Sequence, residues 1–162
     1  MTQIVSGGQT GVDRAALDVA LALGLPCGGW CPARRWAEDG PLPACYPLRE
    51  TPSHGPAQRT WWNVRDSHGT LVLVRDEPRG GTALTLKAAH RLRRPSLLVA
   101  LQPAPDPRPV RRWLAEFRIG VLNVAGPRES ESPGIYRQAY AFLHRVLASP
   151  AVAPQEVACV SW

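Results

Sequence analysis

Three short stretches carry residue types suited to one task, the holding of an anion on backbone amides. The first is Ser6-Gly7-Gly8-Gln9-Thr10-Gly11, followed by Asp13 and Arg14. Glycine lets a chain turn sharply and lie close to a ligand. A helix that starts just after such a turn offers unpaired N–H groups and a partial positive charge. The second stretch is Arg79-Gly80-Gly81-Thr82-Ala83-Leu84-Thr85, in which hydroxyls at Thr82 and Thr85 join the glycines. The third is Ala125-Gly126-Pro127-Arg128-Glu129-Ser130, with Ser132 close behind. There Arg128 supplies charge, and Ser130 or Ser132 suits the cap of a last helix. Plainer roles stand beside these. Thr82 and Ser132 also fit simple helix caps, and Asp13 complements a helix dipole whether or not a ligand binds.

The surrounding pattern places all three stretches between a strand and a helix. Ile4 to Ser6 reads as a short strand, and Ala15, Ala16, Val19, Ala20 and Leu23 recur at helical spacing after it. Leu25 to Trp30 reads as a second strand. Residues 31–60 carry prolines at 32, 41, 43, 47, 52 and 56 and keep no period. An ordered irregular loop lying over the site is the expectation there. Thr60 to Asp66 reads as a helical turn capped by Thr60. Thr70 to Val74 is a buried strand, Thr82 to Leu92 a helix, and Ser96 to Leu101 a strand. Val110 to Phe117 is a helix, Ile119 to Val124 a strand, and residues 133–147 the last helix. Such alternation predicts an α/β, Rossmann-like doubly wound fold: a mainly parallel sheet of about five strands, helices on both faces. The domain is expected over 1–148, with a tail at 149–162 whose Val157-Ala-Cys-Val segment suits an edge strand. Ligands of such folds sit at the carboxyl ends of the strands, where the three stretches converge.

Several function classes lose support. The dinucleotide fingerprint has Ser6 in its first glycine place, and no acid closes the second strand to hold a ribose. No Gly-Lys-Ser/Thr follows the first loop, so ordinary phosphoryl transfer is disfavoured. Cys27, Cys31, Cys45 and His54 match no common zinc spacing, and no metal ligand is assigned. Cys31 is placed at the rim, where a soft metal would be in reach. No apolar run is long enough to span a membrane, and no secretory pattern opens the chain. A cytoplasmic protein is expected. The net charge of +6 invites a nucleic-acid reading, yet its distribution does not. Residues 87–118 hold eight bases and two acids, away from the glycine loops. That surplus fits a solvated helix face or a homo-oligomer contact, dimer or tetramer, as well as it fits a polyanion.

Longer motifs point to a family. Ser6-Gly-Gly-Gln-Thr-Gly-Val-Asp13, Gly29-Trp-Cys-Pro, Ala37-Glu-Asp-Gly-Pro, Tyr46-Pro-Leu-Arg-Glu-Thr, Arg59-Thr with Asn63-Val and Asp66-Ser, and Gly80-Gly-Thr-Ala-Leu-Thr85 together resemble the molybdenum-cofactor carrier family. That family is a branch of the Rossmann-like nucleotide-binding group, abbreviated SLOG, that includes LOG-type phosphoribohydrolases and DNA-processing protein A domains. The resemblance implies binding of molybdenum cofactor, a pterin carrying a phosphate and a dithiolene-held molybdenum. A nucleoside monophosphate is the alternative ligand. On either reading the amides of Gly7, Gly8, Gln9 and Thr10 hold a phosphate, and Gly80, Gly81, Thr82 and Thr85 make a second donor cluster. Asn63, Asp66, Glu38 and Asp39 suit the edges of a heterocycle, and Trp30 and Trp36 suit stacking on one. The LOG-type motif has a glutamate a few residues beyond the glycines. Here Leu86, Lys87, Ala88 and Ala89 follow Thr85, so a binding protein is favoured over a LOG-type hydrolase. A nucleic-acid-binding role like that of DNA-processing protein A is the remaining alternative.

Overall fold

The computed structural model describes residues 3–148; the expected edge strand at 157–160 lies outside them. In chain order the elements are β1 (Gln3–Val5), α1 (Val12–Ala22), β2 (Cys27–Gly28), β3 (Trp30–Cys31), a 3-10 turn (Ala33–Arg35) and β4 (Arg49–Glu50). There follow α2 (Pro56–Arg65), β5 (Gly69–Val74), α3 (Gly80–Arg91), β6 (Ser96–Ala100), α4 (Arg108–Glu116), β7 (Val121–Ala125) and α5 (Ile135–Leu147). Among these residues five strands form one parallel sheet in the order β2-β1-β7-β5-β6, and β3 pairs with β4 apart from it. This is the α/β, Rossmann-like architecture that the alternation predicts.

The sheet's two faces are covered unequally. Ile4, Leu71, Leu73, Leu122 and Val124 point to the face covered by α1, α4 and α5, where Val19, Val110, Ile135 and Leu143 complete the main core. Helices α2 and α3 cover the other face through Val64, Ala88 and Ala89. They stop short of β6, whose Ser96, Leu98 and Ala100 stay exposed while Leu97 and Val99 pack inward. A third cluster, Leu17, Cys31, Ala37, Leu42, Tyr46 and Leu48, seats the 31–50 segment on α1. Cys31 is therefore a core residue and not a rim thiol. Burial pushes its pKa up, away from the thiolate that a metal would need.

Five sequence expectations change in detail. The strand at 25–30 breaks at Gly29, whose φ of 129° belongs to glycine, and a Cβ there would lie 2.4 Å from the Ser6 carbonyl oxygen. The chain leaves the main sheet at that point to form β3. The irregular loop ends earlier than expected, because α2 begins at Pro56 with proline in its first turn. Thr60 is thus inside the helix, its hydroxyl donating to the Pro56 carbonyl, and is not the cap. Helix α3 begins at Gly80, so the glycine pair is its first turn. Finally, neither Ser130 nor Ser132 caps α5 with its side chain. The Glu129 carboxylate does so, accepting from the amides of Gly134 and Tyr136.

Leu71 is fully buried under α1 and α5, whereas Leu98 on β6 is 46% exposed. Leu71→Ala is expected to lower unfolding free energy by about 2–5 kcal/mol. Leu98→Ala is expected to change it by less than about 0.5 kcal/mol. Urea denaturation of the two variants checks both values.

Candidate functional site

From β1 the chain steps outward to β2, and from β5 it steps outward to β6 on the opposite side, so the direction reverses around β7. A crevice opens at the carboxyl ends of the strands at such a reversal. Here it is a cleft made of two adjoining cavities. The outer one, about 650 Å³, is lined by Asp76, Glu77, Arg79, Thr82, Pro127, Glu131 and Ser132. The inner one, about 180 Å³, lies among Gln9, Asp13, Trp36, Pro56, Arg59, Gly80, Gly81, Thr85 and Arg128. Thr82 and Glu131 border both.

Arg59 forms the inner floor. The start of α2 at Pro56 puts Pro56, Arg59, Thr60 and Asn63 on one helical face, toward β1 and β7. The guanidinium lies over Gly7, where a Cβ would sit 1.6 Å from its Nη1, and pairs with Asp13 at 2.7 Å. Burial pushes the Asp13 carboxyl above its ordinary value, while the guanidinium pulls the other way. Arg59 Nε is buried with no hydrogen-bond partner among the described residues. Beside the side chain is a void of about 10 Å³, room for one water, lined also by Thr60, Asn63, Thr85 and Asn123.

The two glycine loops differ in what their amides do. In the first, the Gln9 N–H lies against the Asp13 carboxylate and helps hold its charge, Thr10 N–H donates to the Gln9 side chain, and Val12 N–H donates to the Pro127 carbonyl. Gly8 is covered by Leu42 and Leu48, and the Ser6 hydroxyl donates to the Val124 carbonyl. At the second loop, Gly80 and Gly81 N–H have no acceptor among the described residues, and Cβ atoms added there would meet nothing within 4 Å. The Thr82 hydroxyl makes no hydrogen bond among the described residues, and the Arg79 guanidinium makes no ion pair there. Thr85 donates back to the Gly81 carbonyl.

One wall is tied by Glu38. Its carboxylate accepts from the Thr10 hydroxyl and from both the amide and hydroxyl of Ser130, with Arg128 at 3.9 Å. Its own amide donates to the Gln9 side chain, and Asp39 pairs with Arg14. The remaining sequence candidates gather elsewhere. Asn63 grips the backbone of Trp30 from both sides, and the Trp30 indole donates to Asp66 and packs on Arg49 and Trp62. Neither Trp30 nor Asp66 lines the cleft. Arg59 was visible in the sequence only as part of a motif. The signal that marks it is Pro56 as a helix-opening proline, masked by the proline-rich run around it.

Placing β7 and α5 ahead of β1 would renumber the sheet order as 3-2-1-4-5, the order of the first five strands of an ordinary dinucleotide-binding sheet. The chain is thus ordered as a rearranged Rossmann domain. Residues 4–147 match the Circularly permutated YpsA SLOG family. The chain belongs to that family. Its fold is also similar to a crystal structure named "Putative molybdenum carrier protein" from Syntrophus aciditrophicus SB, with a TM-score of 0.87 and 41% sequence identity. That alignment covers 91% of this chain and 96% of the other. Comparison with curated proteins returned no match. No helix among the described residues is long and apolar enough to cross a membrane.

Partial burial raises the Glu38 pKa, but the hydrogen bonds from Ser130 and Thr10 outweigh it and hold the carboxyl below its ordinary value. A depressed folded value stabilises above the unfolded value and is lost as pH falls through the folded one. The Glu38 tie should therefore be intact above about pH 4.3 and weaken in stronger acid. At pH 7 Glu38→Gln is expected to lower stability by about 1 kcal/mol. The melting temperatures of the two proteins should then approach each other as the pH is lowered below the ordinary carboxylate range.

Proposed function

We propose that this protein binds molybdenum cofactor, or a closely similar phosphorylated heterocycle, in the cleft between α3 and the segment after β7. The observation that carries this reading is the start of α3. Among the described residues the amides of Gly80 and Gly81 have no acceptor, space is open at both Cβ positions, and the Thr82 hydroxyl and the Arg79 guanidinium beside them have no partner. An anion at that position receives hydrogen bonds from the amides and the favourable end of the helix dipole. Arg128 lines the inner cavity as well, its charge shared with Glu131 at 3.1 Å and Glu38 at 3.9 Å. The phosphate is assigned to this helix start, because several amides of the first glycine loop already have acceptors within the protein.

The acids have a place in the same reading. Asp76 and Glu77 border the outer cavity alone, where they would repel a phosphate but accept from N–H groups, while Glu131, which borders both cavities, is paired with Arg128. A pterin ring presents such donors along one edge. The cargo therefore lies with its phosphate at Gly80 and Gly81 and its ring toward the acids or the inner wall. The Syntrophus protein's name and the family relation support a carrier role, in which the protein holds its cargo without turning it over. A cytoplasmic location and assembly as a homo-oligomer accompany this proposal.

The experiment is release of bound material from protein made in a cofactor-producing host. After denaturation, pterin fluorescence and molybdenum should appear in about equal amounts with the chain. A nucleotide without pterin would overturn the cofactor assignment. Gly81 has open space at its Cβ and no positive φ, so Gly81→Asp should fold normally while placing a carboxylate where the phosphate is assigned. It is expected to retain less than about a tenth of the wild-type load, since like-charge placement in a site costs several kcal/mol.

A further inference from the structure

We propose that Trp36 is the stacking platform for the planar ring of the bound molecule, across the inner cavity from the glycine pair of α3. The inference rests on the binding reading above and adds the residue that selects ring-bearing phosphates over plain sugar phosphates.

Trp36 is 47% exposed, among the largest apolar side chains at the surface. Among the described residues its indole makes no hydrogen bond and no ring contact, unlike Trp30, Trp62 and Trp113. An isolated exposed tryptophan needs no explanation by itself. This one is distinguished by how firmly its neighbours are fixed. The Arg35 guanidinium donates to the carbonyls of Leu42, Leu48, Pro43 and Tyr46, gathering the 42–48 turn around itself. Arg34 and Arg35 both adopt positive φ, 61° and 54°, which reverses the chain just before the tryptophan. Ala37 is buried against Leu17 and Leu42, and Glu38 is tied to Thr10, Gln9 and Ser130. Residues 35, 37 and 38 are thus anchored inward, and residue 36 is turned out to the cleft.

The cavity it borders has the form that a flat ring needs. Trp36, Pro56 and Ala57 line the 180 Å³ inner cavity together with Gly80 and Gly81, whose Cβ positions are open. A ring set against the indole would leave its phosphate within reach of the α3 amides. Trp36 also borders a basin of about 360 Å³ formed with Ala33, Arg34, His54 and Pro56, so ring substituents are not blocked on that side. Tryptophan suits this position because it offers a large rigid face and orders few torsions on binding.

The test compares Trp36→Ala and Trp36→Phe with the wild type by calorimetric titration. The probes are GMP, 6-hydroxymethylpterin phosphate and ribose 5-phosphate. Trp36→Ala is expected to weaken a ring-bearing probe about tenfold or more. Trp36→Phe should retain most of that affinity, and ribose 5-phosphate should bind all three proteins equally. Equal binding of a ring probe to wild type and Trp36→Ala overturns the stacking role alone, as does the same loss for ribose 5-phosphate. Ribose 5-phosphate bound without either ring probe also overturns it. If no probe binds the wild type, the cleft-binding reading falls and this inference with it. Melting temperatures within about 2 °C of wild type, expected for an exposed side chain, separate lost binding from lost fold.

Discussion

The Arg59 guanidinium resting on Gly7 and paired with Asp13 is the contact on which the site's form depends. It joins α2, which covers one face of the sheet, to α1, which covers the other, across the carboxyl ends of β1 and β7. Both side chains are largely withdrawn from water, 14% and 4% exposed. Removing one member of such a pair strands the other charge, which commonly costs about 3–5 kcal/mol. Gly7 is needed because any side chain would occupy the space of the guanidinium. The glycine after β1 therefore serves a close approach, by a side chain of the same protein.

That contact divides the work of the rim. With Gln9, Asp13, Glu38 and the 127–130 segment holding the start of α1, several donors of the first loop are spent within the protein. Among the described residues nothing takes up the donors at the start of α3, and the glycine pair there leaves room at both Cβ positions. The two loops look alike as sequence and differ because one is covered by the β7–α5 segment and the other is not. Circular permutation bears on this directly. The crossing that opens an ordinary dinucleotide-binding half is placed last in the chain, and its loop folds back over the loop that comes first.

The 31–50 segment gains its order from polar chelation more than from regular structure. Its two short strands contribute one narrow pairing, Trp30 to Arg49 and Cys31 to Glu50. Arg35 satisfies four carbonyls that would otherwise need water or a strand partner, and Tyr46 donates to Asp18 on α1, which also accepts from Tyr136 of α5. A planar, always-charged guanidinium suits this task, since a lysine has neither its fixed fork nor its reach to several carbonyls at once. The rigidity so obtained places Trp36 and Glu38 on opposite sides of one short turn.

The sequence by itself determined the architecture, because the alternation of β-branched runs with 3.6-residue periods leaves few other ways to bury both. It also determined the family, through long motifs, and the rim on which the three glycine-containing loops converge. It did not determine where the helices of that rim begin. Proline in the first turn of α2 and glycine in the first turn of α3 read locally as breakers, and only packing against the sheet makes them helix starts. Nor did it determine which donors are free. Asn63, Asp66 and Trp30 have the right chemistry for a ligand, yet Gly29 turns the chain so that they satisfy one another. Hydrogen-bonding capacity is a property of residue type, but whether it remains available depends on which atoms come within about 3 Å in the folded chain, and that is decided only by tertiary structure.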